Sequence, residues 1–230
     1  MFKKLENGWI KYWNDRVGQD KDYYDKKGAN ADFIIKYLAI QKKDKVFDIG
    51  CATGGMLSDI TLKTGATCYG IDISPVAVGL NKDTTIKLKV ADMENTTYPP
   101  NFFDKVFSLG VFEHTPHSFE VFQELHRVMK PGGLAFITVP NKFSFFHLTK
   151  NIKMLLGTWD LGYEKSFSKF ELEKLFKKLG FEIVSYHVEP HTVAKPNIFN
   201  RMDNWLHSKN KTHFGFFIYM ILRKKVNDGY

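Results

Sequence analysis

Short apolar runs of strand length recur along this 230-residue chain, at 45–49, 67–71, 86–90, 104–109 and 134–139, and apolar positions fall at helical spacing between several of them. That alternation predicts an α/β domain with a mostly parallel sheet, because consecutive parallel strands need a crossover that a covering helix supplies. One helix is expected near 29 to 40. Another opens at Thr115 and Pro116, buries Val121, Leu125 and Val128 as a stripe, and is expected to stop at the PGG of residues 131–133. Ser168 and Glu171 have the spacing of a capping box, with Phe167 and Leu172 as its hydrophobic staple, so a helix should run to Leu179 and end at Gly180. The last two apolar runs, FEIVSYHV and HFGFFIYMILRKK, read as strands with nothing helical between them. Two late strands without a crossover helix predict an antiparallel pair at the sheet edge.

Two segments fall outside this rhythm, 141–166 and 191–212, both rich in Phe, Trp, His and Lys. Loops of that length usually carry function. The chain length suits one domain. Its net charge of +8 is compatible with nucleic acid, an anionic membrane or a phosphorylated substrate, but the lysines are spread and form no tract that singles one out. Cys51 and Cys68 give neither a disulfide framework nor metal-ligand spacing, which fits a reducing, cytoplasmic compartment. The opening MFKKLENGWIKYW lacks an uninterrupted apolar core of a signal peptide, and FGFFIYMIL at 214–222 is shorter than a bilayer span. A soluble or peripheral protein is expected.

Candidate chemistry begins at VFDIGCATGG, residues 46–55, where a strand-like run ends in small residues before a helical pattern through Met56, Leu57 and Ile60. Glycines there permit a tight turn and close ligand approach, and the unpaired N–H groups of the helix start favour an anion. Dinucleotides and S-adenosylmethionine both use such a turn. Asp72, at the end of CYGID, stands about 20 residues on, where either ligand needs a carboxylate for its ribose hydroxyls. Asp48 before the first glycine and Asp92 in VADM add two further acids at strand ends, which dinucleotide sites do not generally need. Cys51 in the turn reads as a small residue, with no base near it in sequence to make it a nucleophile.

With those motifs in place, VFDIGCATGG, YGIDIS, VADM, FDKVFSLGVFEH and LHRVMKPGGLAFITVPN resemble a class I S-adenosylmethionine-dependent methyltransferase over roughly residues 44–140, of the small-molecule type similar to ubiquinone- and menaquinone-pathway enzymes. The resemblance implies a single Rossmann-like, doubly wound domain over 1–230, with an antiparallel C-terminal strand and S-adenosyl-L-methionine as cofactor. It implies a lid at 1–40, a cofactor core at 44–140 and acceptor-side insertions at 141–166 and 191–212. Asp48, Gly50, Cys51, Ala52 and Gly54 would form the turn around the methionine part, with Ala52 where many relatives have Gly. Asp72 would bind the ribose, Ile73 would pack on adenine, Asp92 would accept from its amine, Met93 would donate its backbone N–H, and Leu109 and Gly110 would line the methionine end.

His114 and His117 are the candidate general bases, with His191 weaker, since an acceptor hydroxyl must lose its proton. Related quinone-pathway enzymes carry E-x-x-E-H here, associated with a divalent metal. This chain has Gly110 at the first Glu position, and Glu113 with His114 is a thin ligand set, so no metal is expected. The expected acceptor is small or lipid-like and O-methylated, with peripheral contact to an anionic membrane. Phe143, Phe145, Phe146, Leu148, Met154, Leu155, Leu156 and Trp159 would help enclose it, and Trp9, Tyr12 and Trp13 could add a lid. A nucleic-acid or protein methyltransferase is the competing reading. Amino-methylating enzymes of the nucleic-acid kind carry Asn or Asp followed by Pro-Pro and an aromatic after the fourth strand, where this chain has LGVF. An inactive cofactor-binding scaffold is a second alternative.

Overall fold

The computed structural model describes residues 31–159, 162–190, 192 and 197–226. The proposed lid residues Trp9, Tyr12 and Trp13, and His191, lie outside them. In chain order the elements are α1 (Ala31–Leu38), β1 (Lys45–Ile49), α2 (Gly55–Thr64), β2 (Thr67–Asp72), α3 (Pro75–Gly79), β3 (Lys87–Val90), β4 (Phe103–Leu109), a 3-10 turn (Phe112–His114), α4 (Ser118–Val128), β5 (Met129–Pro140), α5 (Phe145–Leu155), α6 (Lys169–Lys178), β6 (Phe181–Glu189), α7 (Ile198–Lys209) and β7 (Phe217–Lys224).

Seven strands form one sheet in the order β3-β2-β1-β4-β5-β7-β6. The first five pair parallel, and β7 runs antiparallel to both β5 and β6. This is the doubly wound sheet with an antiparallel end that the apolar periodicity predicts. One face is closed by α4 and α6, whose Val121, Phe122, Leu125, Val128, Leu172 and Phe176 meet Phe47, Ile49, Val106 and Ile137. The other is closed by α1 and α2, whose Ala31, Ile34, Leu38, Leu57 and Ile60 meet Val46, Cys68, Phe107 and Phe136. At about 1.5–3 kcal/mol for each buried large side chain, these stripes hold the helices to the sheet. The Ser168–Glu171 capping box is formed, and Phe167 and Leu172 on either side of it are buried together.

Two expectations fail. PGG does not end α4, which stops at Val128; residues 130–133 instead bulge within β5, so that Phe103 faces Met129 while Lys105 faces Leu134. A Cβ on Gly133 would lie 2.9 Å from the Lys130 carbonyl and 3.0 Å from that of Asp104, and only glycine avoids that clash. The second failure is larger, because a helix, α7, does stand between β6 and β7. Asn197 and Asn200 close a capping box at its start. The segment 141–166 likewise contains a helix, α5, whose cap Ser144 accepts from the N–H of His147.

Candidate active site

The sheet order reverses between β1 and β4, and α/β sheets hold ligands in the crevice outside the carboxyl ends of the strands at such a switch point. The predicted site residues collect along that edge. Gly50 to Gly54 follow β1, Asp72 ends β2, Ile73 follows it, Asp92 and Met93 follow β3, and Leu109 ends β4 just before Gly110. A Cβ on Gly50 would fall 2.3 Å from Val111 Cγ2, so the loops after β1 and β4 touch across the switch point and require glycine there. Gly54, with φ of 77°, caps α2 without any side-chain bond, and no acid occupies the first turn of that helix. Its N-terminal dipole is left for an anion from outside.

Ala52 also has a positive φ, 50°, a conformation that costs a non-glycine residue about 1–2 kcal/mol. It is held there by Asp72, whose Oδ2 accepts the Ala52 N–H at 2.9 Å while Oδ1 accepts that of Ser74 at 2.9 Å. Each carboxylate oxygen keeps a further lone pair. Burial raises the Asp72 carboxyl, against the N–H bonds from Ser74, Ala52 and Ile73 that lower it. Asp48 is buried beside it and is raised well above the usual carboxylate range, first by desolvation and then by the charge of Asp72. Burial pushes the Cys51 thiol up as well, and its sulfur lies 2.7 Å from where a Cβ on Gly70 would stand. Cys51 is a packing residue filling the notch over β2.

Farther along the edge, Ile73 is 36% exposed and Met93 is half-buried against the α4-side core. Asp92 is exposed and turns its Oδ1 to the N–H of Glu94 at 2.8 Å. Gly110, with φ of 69°, leaves room for Glu113, whose Oε1 would be 3.4 Å from a Cβ at position 110. His114 is largely buried, its Nδ1 is 3.3 Å from the Tyr163 carbonyl, and burial holds it below the usual histidine range. His117 is exposed and 3.0 Å from Glu94, whose carboxylate raises it.

Sequence reasoning missed three partners here. Glu94 joins Thr115 Oγ1 to His117, and the Lys150 ammonium, on α5, meets Glu164 Oε1 at 2.8 Å and Ser166 Oγ at 3.1 Å. Nothing local in the sequence signals the Lys150–Glu164 pair, since fourteen residues separate its members. Among the described residues no group of three or more His, Cys, Asp or Glu side chains is placed to hold a metal ion.

A family described as "Methyltransferase domain" matches residues 23–186. The chain belongs to this methyltransferase family. It is 29% identical over 138 residues to a sterol 24-C-methyltransferase of Pneumocystis carinii, covering 56% of this chain and 37% of that protein. It is 32% identical over 183 residues to a ubiquinone biosynthesis O-methyltransferase of Pseudomonas aeruginosa, covering 74% of this chain and 78% of that protein. Its fold matches a phosphoethanolamine N-methyltransferase 2 of Haemonchus contortus, solved with S-adenosyl-L-methionine, at a TM-score of 0.63 and 20% identity, over 86% of this chain and 53% of that one. The methyltransferase takes S-adenosyl-L-methionine as cofactor, and its edge residues fit that molecule. A buried carboxylate with spare lone pairs suits vicinal hydroxyls, and an uncapped helix start suits a carboxylate. No helix among the described residues is long and apolar enough to cross a membrane.

Proposed function

We propose that this methyltransferase O-methylates a small, lipid-like acceptor that it meets at an anionic membrane surface. Asp72 receives the ribose hydroxyls, and the Gly50–Gly54 turn with the α2 N-terminus receives the methionine part, with Asp48 and Cys51 beneath them. Ile73, Asp92 and Met93 border the adenine, and Leu109 and Gly110 border the methyl end. The bound cofactor supplies an already activated methyl group, so the work left to the chain is positioning the acceptor and shedding water.

The orientation of α5 and α7 carries the acceptor class. α5 buries His147 and Lys150 and exposes Leu148, Ile152 and Leu155, the last by 87%. α7 buries Asn200 and Asp203 and exposes Ile198, Phe199, Met202 and Trp205, the last by 61%. The two helices pack on each other with apolar faces outward. Both stand at the carboxyl edge of the sheet, because Pro140 and Glu189, which precede them, each pair with Phe217. Lys153, Arg201, Lys209 and Lys211 are exposed beside that face, while the single acid of residues 145–159 and 197–212, Asp203, is buried. An apolar ridge rimmed by cations matches an anionic lipid surface. Core 44–140 and insertions 141–166 and 191–212 thus divide cofactor from acceptor duties.

Labelled S-adenosylmethionine incubated with the protein and separated lipid, aqueous small-molecule, RNA and protein fractions of a cell extract tests this. Label is expected in a lipid-extractable product, with cosedimentation on phosphatidylglycerol vesicles at low salt. Label in RNA or protein would overturn it.

A further inference from the structure

We propose that Glu113 is the acceptor-binding group of this site, its carboxyl receiving a weakly acidic, phenol-like hydroxyl directly, with no metal ion between them. The inference rests on the methyltransferase reading and names the hydroxyl chemistry that the acceptor must carry.

Glu113 is 3% exposed, and its Oε2 is buried with no hydrogen-bond partner among the described residues. A dry, unpaired carboxyl oxygen works against folding, so its natural completion is a ligand hydroxyl. The side chain stands on the turn that follows β4, and its Oε1 lies 3.4 Å from where a Cβ on Gly110 would stand, so the carboxyl borders the bare glycine backbone at the end of the strand. The turn is pinned from outside by the Lys165 N–H, which donates to the Glu113 carbonyl at 2.8 Å.

Neighbouring candidates are already committed. The His114 ring is engaged by the Tyr163 carbonyl and by the backbone of Gly110, and His117 sits at the surface with Glu94. Lys150 reaches in from the buried side of α5, but its ammonium is bonded to Glu164 and Ser166. Among the described residues, Lys150 from α5 and Glu164 from the stretch before α6 are the charged groups that act on Glu113. Burial dominates and pushes the Glu113 carboxyl up to about 8, with Glu164 adding to the rise and Lys150 opposing it. Near neutrality it is mostly a neutral acid, and above that a carboxylate able to accept a charge-assisted bond from a hydroxyl.

Calorimetry on the protein saturated with S-adenosylhomocysteine, in EDTA, with 4-methylphenol as probe, tests this at pH 7 and pH 9. The probe is the tyrosine side-chain ring, still largely un-ionised at pH 9. Saturable binding is expected, at least tenfold weaker in Glu113→Gln at pH 9 and much closer to wild type at pH 7, where both side chains are neutral. S-adenosylhomocysteine affinity should stay within twofold. Lys150→Met should move the pH at which binding strengthens upward. Equal binding by wild type and Glu113→Gln at pH 9, no saturable binding by wild type, or binding that requires added magnesium would overturn the proposal. A wild type that fails to bind S-adenosylhomocysteine at all would bring down the methyltransferase reading beneath it.

Discussion

Helices α4 and α5 are both eleven residues long, yet they are fastened by opposite means. α4 turns Val121, Phe122, Leu125 and Val128 to the sheet, whereas α5 turns His147 and Lys150 inward and leaves Leu148, Ile152 and Leu155 in the open. Burial area holds the first. A few directional bonds hold the second: His147 Nδ1 to the Asn141 carbonyl at 3.0 Å, Lys150 to Glu164, and Asp203 of α7 to Ser144 Oγ at 2.7 Å and the Phe145 N–H at 2.6 Å. Area is non-directional and insensitive to pH, while the polar latches are neither. The sheet with α4 is thus built as a platform, and α5 with α7 as a docked attachment whose apolar surface is kept for something other than the core.

The largest expected effect tests the platform. Phe122 is fully buried among Phe112, Phe176 and Phe167, with ring centroids at 4.8, 4.9 and 6.3 Å. Phe122→Ala should destabilise the whole chain by about 3–5 kcal/mol, seen as a shifted urea midpoint common to all probes. Next comes the joint between platform and attachment. The folded-state pKa of Glu113 is raised, from 4.5 to about 8, so the folded state holds the proton longer and stability is lost as pH climbs through that window, levelling off above it. Relative to wild type, Glu113→Gln should therefore gain roughly 4 kcal/mol between pH 5 and pH 9. A constant difference between the two denaturation curves across that range would show that the carboxyl is not buried as described.

The latch is third. Asp203→Ala strands the Ser144 hydroxyl and the first N–H groups of α5, a loss of about 2–3 kcal/mol by the usual cost of unpaired buried groups. Hydrogen exchange should quicken in α5 and α7 and leave β1, β4 and β5 unchanged. Exchange that quickened throughout would mean that the attachment and the platform unfold as one unit.

The platform was largely readable in the sequence because its chemistry is local. Strand-length apolar runs, the stripe at Val121, Leu125 and Val128, and the capping box at Ser168 all report burial against one sheet, and each stands where the pattern puts it. The glycine turn and the acids at strand ends were readable for the same reason, since each needs only its own strand and the next loop. The attachment was not. α7 shows apolar residues at helical spacing, but its buried side is Asn200 and Asp203, so a search for a core-facing stripe finds no helix there. The Asn197–Asn200 box was the available signal, concealed because Asn replaces the usual Glu or Gln. Lys150–Glu164 and Asp203–Ser144 are pairings across loops, which no local pattern reveals.

A fourth effect is measured as affinity. Asp72→Ala removes the proposed acceptor of the ribose hydroxyls and should weaken S-adenosylmethionine binding by about 1.5–3 kcal/mol in calorimetry. Because Asp72 also holds the Ala52 N–H, the variant should bind more weakly than loss of two hydroxyl contacts alone, and adding Ala52→Gly should recover part of the deficit by relieving the positive φ. Unchanged affinity in Asp72→Ala would remove this residue from the cofactor site.

The smallest effect on stability is the sharpest test of the comparison. Leu155 and Trp205 are large apolar side chains on the outward faces of α5 and α7, so replacing both with Asp takes little from the core and should move the urea midpoint by no more than about 0.5 kcal/mol. The same pair of changes on α4 would unfold the protein. On phosphatidylglycerol vesicles the order reverses, because each Asp puts a charge on the ridge and cancels a neighbouring cation such as Lys153 or Lys209. Cosedimentation at low salt should fall at least tenfold while S-adenosylmethionine affinity stays at the wild-type value. Vesicle binding that persists in the double variant would mean that the ridge is not the lipid-facing surface; a large loss of stability would mean that these side chains are packed after all, and that α5 and α7 are held by area as α4 is.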